Sequence, residues 1–502
     1  MSRIARNSLY QLLSQGALLA TAVFTTPYIV HKLGPDLYGL LVLIGITTNY
    51  FGVVELGLGQ ATIKFMADSY SRRDWPEFRR VFWTSSVSYL VLGGIGAGAM
   101  LSCTPLLLHF LKIPSYARGD AIRAFIISAA GLIVSLQVGV TSSVVRALER
   151  FEFLSSIGLA TGLSQALLTV LLLYLKFSLV GVIAGGAALQ LGALIAYSFL
   201  VRLLAPGLGK PAWNGKTFGG LAGFGAYVSV SQIIGPLLVH LEKFMVGSLL
   251  TMALVTYYTV PYGLVYSLSV IPTSVAIVIF PAFTRLYAEG NKERARELYT
   301  RATKFVFGCV LSLAVVLCVF ARQILTAWIG ADFGTRGTQV MQILAFAVVV
   351  NAVASIPFQF LQAIHRPDLT AKFHVLELMI HVPLCFGLIT TFGLAGAALG
   401  WAARVTLDMV LLVRWAAEHV GLGVGDLFRH SFRASMIGAG VAAPVVIASR
   451  LAIHNSGRIA TLVSVGITGA LYSIAVMALT LDAEDKFYLT PFLSRLRHSS
   501  AP

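Results

Sequence analysis

Charged side chains inside long apolar stretches are the residues of this chain whose types could do chemistry. A charge in a membrane-spanning helix is costly, so it usually marks a substrate or ion pathway. The candidates for lining such a polar cavity are Glu55, Arg146, Glu242, Lys243, Arg404 and Asp408. We expect the cations among them to bind an anionic substrate, and the carboxylates to balance those cations.

Two of these groups allow a second interpretation. Arg404 and Asp408 are four residues apart, on one face of a helix, and could form a structural ion pair instead of a binding site. The adjacent Glu242 and Lys243 could lie at the mouth of a helical lobe, where water solvates them. Both alternatives stay open at the level of sequence.

Another group with possible chemistry is formed by His374, Glu377 and His381, whose spacings of three and four place them on one helical face. Glu377 and Asp408 are our candidates for binding a coupling cation. Because the sequence offers no evident further ligand, packing or a helix-end role is favoured over a metal ion. We therefore predict no metal site and no cofactor.

The sequence shows no enzyme motif. It contains no Walker phosphate loop, no H-E-x-x-H zinc motif and no paired carboxylates with a plausible reaction partner. Its 47 glycines are scattered through apolar stretches, where small residues allow helices to pack closely. The chain is therefore predicted not to be an enzyme.

The elements that position these residues are membrane-spanning helices. Of the 502 residues, 57% are hydrophobic and only 12% are charged, whereas soluble domains carry about 25% charged residues. Each span needs roughly 20 mostly apolar residues. The sequence predicts an all-α polytopic protein with fourteen spans, at 9–30, 38–61, 82–111, 121–146, 154–175, 178–201, 220–249, 256–284, 300–321, 338–364, 369–391, 394–416, 431–453 and 459–480.

The distribution of basic residues predicts the orientation of these spans. If the N-terminus is cytoplasmic, 26 of the 37 Lys and Arg residues fall in cytoplasmic segments and 9 in external ones. This asymmetry is the positive-inside rule, and a missed or added helix would blur it. Both termini are therefore expected in the cytoplasm, and the net charge of +16 is mainly a topology signal.

A weak internal repeat groups the spans. The loop that starts at Tyr70 is similar to the loop that starts at Tyr287. Two shorter segments also match: residues 147–150 are similar to 363–366, and residues 177–181 are similar to 392–396. The offsets of these three pairs are nearly equal and each covers six spans, so both copies keep the same orientation. We predict an N-terminal lobe at 1–205, a C-terminal lobe at 216–417, two additional helices at 430–480 and a cytoplasmic tail at 481–502.

The order of several short motifs resembles that of Wzx-type polysaccharide flippases, within the superfamily that also contains MATE exporters and the lipid II flippase. The first lobe carries Asn7, Gln15-Gly16, His31 to Gly39 (HKLGPDLYG) and Glu55 to Gly59 (ELGLG). The second region carries Glu242 to Gly247 (EKFMVG), Pro281 to Phe283 (PAF), Leu286-Tyr287, Trp328 to Phe333 (WIGADF) and Gly393 to Ala398 (GLAGAA). Relatives often have Asp in place of Glu242, so this position departs from the pattern.

The resemblance implies a V-shaped fold of two lobes in the bacterial inner membrane. It implies transport of undecaprenyl-diphosphate-linked oligosaccharides from the cytoplasmic to the periplasmic leaflet by alternating access, for exopolysaccharide, capsule or O-antigen synthesis. Expected partners are this substrate, membrane lipids, and a polymerase with its assembly proteins; nucleic acid is not expected. The alternatives are a MATE-like cation-coupled drug exporter, a lipid II flippase, or a scaffold that does not transport.

Overall fold

The computed structural model describes residues 3–52, 57–205, 208–209, 211–421, 423, 425, 428–452 and 457–481. Within these residues all the regular structure is helical. The α-helices are α1 Arg3–Gly52, α2 Leu58–Ser71, α3 Trp75–Phe110, α4 Arg118–Ala147, α5 Phe151–Tyr174, α6 Leu179–Leu204, α7 Gly215–Leu249, α8 Met252–Tyr266, α9 Val270–Ala288, α10 Lys292–Val319, α11 Ala321–Trp328, α12 Ala331–Arg336, α13 Thr338–Ala363, α14 Pro367–Val420, α15 Arg433–Ala452 and α16 Arg458–Thr480.

The number of membrane-crossing helices agrees with the fourteen predicted spans. In the described part of the chain, eleven helical stretches are long and apolar enough to cross a membrane. Two of them, within α1 and α14, contain a non-helical glycine and are each two helices: Gly34 has φ 78° and Gly393 has φ 58°. Together with α7, which the sequence also predicts as a span, these stretches supply fourteen crossings.

The structure also differs from the predicted boundaries. Spans one and two are joined at Gly34 without the predicted loop, because glycine alone adopts a positive φ there without a steric penalty. Most of the predicted loop after residue 61 is helical, since α2 extends to Ser71 and α3 begins at Trp75. The two short helices α11 and α12 follow the ninth span and were not predicted.

The internal repeat is present in the backbone. Arg73 and Gly290 occupy corresponding positions of the two copies, and both have positive φ. The residue after each of them caps a helix. The side chain of Asp74 accepts a hydrogen bond from the amide of Glu77, and that of Asn291 accepts one from the amide of Arg294. Side-chain capping of this kind satisfies amides that a helix start leaves unpaired. A second positive-φ pair is Glu149 and His365. Lys176 and Gly393 also have positive φ in the corresponding turn of each copy, two residues out of register with the sequence match of 177–181 to 392–396.

Ion pairs follow the same repeat. Arg150 lies 3.2 Å from Glu152 at the start of α5, and Arg366 lies 3.0 Å from Asp368 at the start of α14. Helix packing repeats as well, since α2 packs on α3 and α4 as α9 packs on α10 and α13. The two six-helix copies are therefore built alike, down to the turns that connect their helices.

The chain forms two compact units, Met1–Thr256 and Tyr257–Pro502. In the first unit α3, α4 and α6 pack together, and α7 packs against α2 and α3. In the second unit α13 packs on α10 and α14, while α15 and α16 form a pair that contacts α10. The first unit thus extends beyond residue 205 and contains α7, whose assignment to the C-terminal lobe stays a prediction.

Candidate functional site

The most concentrated group of buried charges lies on α14, which folds back on itself after Gly393. The two halves run side by side because small residues allow it. A Cβ atom at Gly396 would collide with the backbone of Leu388, and one at Gly400 would lie 3.0 Å from the Sγ atom of Cys385. This antiparallel packing brings residues far apart in sequence into contact.

Arg404 forms an ion pair across this hairpin. Its Nη1 atom lies 3.4 Å from Oε2 of Glu377, and the two side chains are 9% and 0% exposed. The sequence suggested Asp408, four residues along, as a possible partner of Arg404. The structure brings Arg404 to Glu377 instead, because the fold-back places the first half of α14 beside the second.

Asp408 lies within the same group. A histidine nitrogen of His374 and carboxylate oxygens of Glu377 and Asp408 all lie within 4.8 Å of one another. Among the described residues, no hydrogen bond reaches Oε1 of Glu377 or Oδ1 of Asp408. The arrangement therefore holds two carboxylates, an imidazole and a guanidinium close together, with Glu377 and Arg404 buried and His374 and Asp408 half-buried.

This group changes the assessment of a cation site. The sequence disfavoured a metal because no further ligand was evident near the histidines of span eleven. Asp408, contributed by span twelve, is a third side chain with a possible ligand atom within 4.8 Å of those of His374 and Glu377. His381 is buried on α14, and it is not part of the set of converging ligand atoms. The ring of His374 is stacked on Phe358 of α13, 6.2 Å between centroids, which fixes its orientation.

A second buried group lies on α7 in the first unit. Glu242 is 0% exposed and Lys243 is 4% exposed. The Nζ atom of Lys243 lies 3.1 Å from Nδ1 of His240, one helical turn earlier, where the ammonium can donate to an unprotonated ring. Tyr50 of α1 packs edge-on against His240, 6.2 Å between ring centroids.

The sequence left open that Glu242 and Lys243 lie at the mouth of a lobe, where water would solvate them. In the structure both side chains are buried instead. His240 belongs to this group and was not among the predicted site residues. The signal was available, since His240 and Lys243 are three residues apart in a predicted span and therefore share a face.

The remaining candidates are not part of either group. Arg146 is exposed at the C-terminal end of α4, and no described hydrogen bond or ion pair joins it to Lys243 or Glu242. Glu55 lies outside the described residues. The structure therefore brings together Glu377, Arg404 and Asp408 in one unit, and Glu242 with Lys243 in the other.

Comparisons with known proteins agree with this membrane architecture. Residues 32–337 match the family described as polysaccharide biosynthesis protein. The chain is 24% identical to a putative O-antigen transporter of Shigella flexneri, over 82% of this chain and 97% of that one. It is 21% identical to the probable flippase AglR of Haloferax volcanii, over 82% of this chain and 83% of that one.

Two solved structures have the same fold. The lipid II flippase MurJ in an inward closed conformation has a TM-score of 0.72 at 11% identity, and covers 97% of this chain and 100% of its own. An inward-facing multidrug resistance MATE family transporter of the MOP superfamily has a TM-score of 0.65 at 16% identity, and covers 83% and 94%. The resemblance inferred from sequence motifs is confirmed: this chain belongs to the polysaccharide biosynthesis protein family and has the fold of the MOP superfamily transporters.

Proposed function

We propose that this protein is a flippase for undecaprenyl-diphosphate-linked oligosaccharides, which it moves from the cytoplasmic to the periplasmic leaflet by alternating access. The observation that supports the proposal most is a buried arginine, Arg404, in a membrane-spanning helix of a member of a polysaccharide biosynthesis family. An arginine is expensive to keep in a membrane and often marks a substrate pathway, and Arg404 can exchange Glu377 for the phosphate of an anionic ligand.

The chemistry of the substrate fits this role. A diphosphate with attached sugars is charged and hydrated, and it cannot cross hydrocarbon unaided. Arg404 can bind a phosphate through two parallel hydrogen bonds, which a guanidinium does better than an ammonium. Lys243, buried in the first unit, is a second cationic candidate, and Arg146, which is exposed, is a third.

The α14 group also suggests that substrate binding is linked to cation binding. With His374 neutral, Arg404, Glu377 and Asp408 together carry one net negative charge. When Arg404 leaves Glu377 for a phosphate, two carboxylates within 4.8 Å lose their compensating charge. A proton or a single metal cation held by Glu377 and Asp408 restores the balance, so cation binding and substrate binding favour each other.

The proposed location is the bacterial inner membrane, with both termini in the cytoplasm. This orientation rests on the excess of basic residues in the alternate loops. A polysaccharide polymerase and its assembly proteins are proposed as partners, because the product must be consumed on the periplasmic side.

Deletion of the gene, followed by analysis of lipid-linked intermediates, tests the proposal. We expect a single glycan unit on its lipid carrier to accumulate at the cytoplasmic face, and surface polysaccharide to be lost. Unchanged lipid-linked intermediates together with altered tolerance to cationic drugs would contradict the flippase and support the exporter.

A further inference from the structure

Aromatic rings are stacked along one face of α8, inside the second unit. Tyr258, Tyr262 and Tyr266 are each four residues apart, so their side chains lie one above another. The rings of Tyr258 and Tyr262 are stacked with 5.9 Å between centroids, and those of Tyr262 and Tyr266 with 5.3 Å. Trp401 of α14 packs edge-on against Tyr262, 5.5 Å between centroids. These four side chains are called the aromatic ladder below.

The aromatic ladder is buried except at Tyr266. The other three side chains are at most 5% exposed, whereas Tyr266 is 39% exposed. Stacking on Tyr262 fixes the orientation of the Tyr266 ring, and Tyr262 is itself held between Tyr258 and Trp401. A ring that is already oriented loses little rotational freedom when a ligand binds to it. Tyr266 is therefore a prearranged aromatic surface.

Tyr266 lies at a depth where the membrane consists of hydrocarbon. α8 and α9 belong to one membrane-crossing stretch of 37 residues, Met252–Ala288. Tyr266 is four residues from the midpoint of that stretch at Val270, which is about 6 Å at 1.5 Å per residue. The hydrocarbon core extends about 15 Å to either side of its centre. Because exposed tyrosines are typical of the membrane surface, contact with lipid does not explain an exposed tyrosine at this depth.

The exposed face around Tyr266 also differs from a lipid-facing one. On α16 the exposed large side chains are all aliphatic, and the tyrosine of that helix, Tyr472, is 1% exposed. On α8 and α9 the exposed residues on successive turns are instead Gly263, Tyr266, Val270 and Thr273. A Cβ atom at Gly263 would meet nothing within 4 Å. This face offers a ring, hydroxyls and open space, which suit a polar ligand better than lipid chains.

The aromatic ladder adjoins the charged group of α14. Trp401 and Arg404 are three residues apart and share a helical face. In the proposed function Arg404 binds the diphosphate, and the attached sugars extend from that point. A pyranose ring presents a face of C–H groups, whose partial positive charge complements the negative face of an aromatic ring. Its hydroxyl groups can form hydrogen bonds with a phenol such as that of Tyr266.

We propose that Tyr266 binds sugar, and that the ring face turned away from Tyr262 stacks on a pyranose ring of the transported glycan. The rest of the aromatic ladder positions that ring. This inference rests on the proposed function, because it assigns the glycan part of the same substrate to residues other than Arg404. Arg404 then binds the diphosphate, and Tyr266 contributes affinity only when a sugar is attached.

Equilibrium binding to the purified full-length protein tests the proposal with two probes. One probe is undecaprenyl diphosphate, and the other is undecaprenyl diphosphate that carries two N-acetylglucosamine units. We expect the wild type to bind the glycan-bearing lipid about tenfold more tightly, which is the upper range for one aromatic contact. Tyr266→Phe should keep most of this preference because the ring remains. Tyr266→Leu should lose it, with unchanged affinity for the lipid without sugar.

Phe280→Leu is the matched control for the loss of an exposed ring. Phe280 of α9 is 40% exposed, close to the value for Tyr266, and it is not part of the aromatic ladder. This variant should keep the preference of the wild type. An equal loss of preference in Phe280→Leu would overturn the sugar site, as would a retained preference in Tyr266→Leu.

The two probes also separate the sugar site from the proposed function. Equal affinity of the wild type for both lipids would overturn the sugar site and leave the flippase proposal intact. Binding of neither lipid by the wild type would contradict the proposed function, and the sugar site with it.

Discussion

Arg404 compensates a buried carboxylate, so its removal has two separable effects. Arg404→Ala leaves Glu377 buried without its ion-pair partner, and breaking a buried pair in this way costs about 3–5 kcal/mol. We expect a lower thermal unfolding temperature of the purified protein and no surface polysaccharide. Arg404→Lys keeps the positive charge but cannot form bidentate hydrogen bonds to a phosphate, so the variant protein should transport at a reduced rate.

A double variant distinguishes the structural effect from the functional one. Arg404→Ala combined with Glu377→Gln removes both charges, and should recover much of the lost unfolding temperature. Transport should stay absent, because no guanidinium remains to bind phosphate. If the double variant restored normal polysaccharide, Arg404 would be a structural residue only.

Asp408 provides a prediction about cation dependence. Asp408→Asn leaves Glu377 as the single carboxylate that is freed when Arg404 binds phosphate, so substrate binding should depend less on the proton or sodium concentration than in the wild type. Binding of the lipid-linked substrate, measured across a range of pH and sodium, checks this. The matched control is Asp368→Asn, on the exposed first turn of the same helix, which should behave like the wild type. Cation dependence in Asp408→Asn as strong as in the wild type would place the coupling site elsewhere.

At the level of residues, the sequence identified the charged positions but not their partners. Arg404, Asp408 and Glu377 could be selected because charges are rare in apolar stretches. The pairing of Arg404 with Glu377 could not be predicted, since it depends on how the two halves of α14 face each other. His240 was not predicted, because a histidine is neutral at its ordinary pKa and stands out less in an apolar stretch than the adjacent charges of Glu242 and Lys243.

The hairpin within α14 depends on glycine at the element scale. A Cβ atom at Gly396 would overlap the carbonyl group of Leu388, and a backbone group cannot move aside as a flexible side chain can. We expect Gly396→Ala to separate the two halves of α14 and to lower both the yield of folded protein and transport. Gly387→Ala, where a Cβ meets nothing within 4 Å, is the control and should be neutral. Equal behaviour of the two variants would contradict this account.

The elements themselves were largely predictable. Apolar stretches gave fourteen spans, and the structure has helices for each of them. The differences occur where a boundary depends on one backbone conformation, as at Gly34 and Gly393, or where a helix is short, as in α11 and α12. Hydropathy averages over about 19 residues and does not detect such features.

At the scale of the whole molecule, the repeat and the basic loops make a joint prediction about topology. In a variant without the four native cysteines, single cysteines at Arg73 and Gly290 should react with a membrane-impermeant maleimide only after the inner membrane is permeabilised. Cysteines at Lys176 and Gly393 should react in intact cells. Because each pair occupies equivalent turns of the two copies, members of one pair must agree. Labelling of only one member of a pair would contradict a repeat of six spans.

The two copies of the repeat share an orientation in the membrane but differ in their charged residues. An even number of spans lets a duplicated segment follow the first copy without being inverted in the membrane, which a parallel repeat of six spans requires. The two halves have since diverged. At the offset of the repeat, none of the first-copy residues that correspond to Glu377, Arg404 and Asp408 is charged. They are Thr161 and small or aliphatic residues. The charged group on α14 therefore distinguishes one half from the other, and the two halves are similar in backbone but not in the chemistry of their helices.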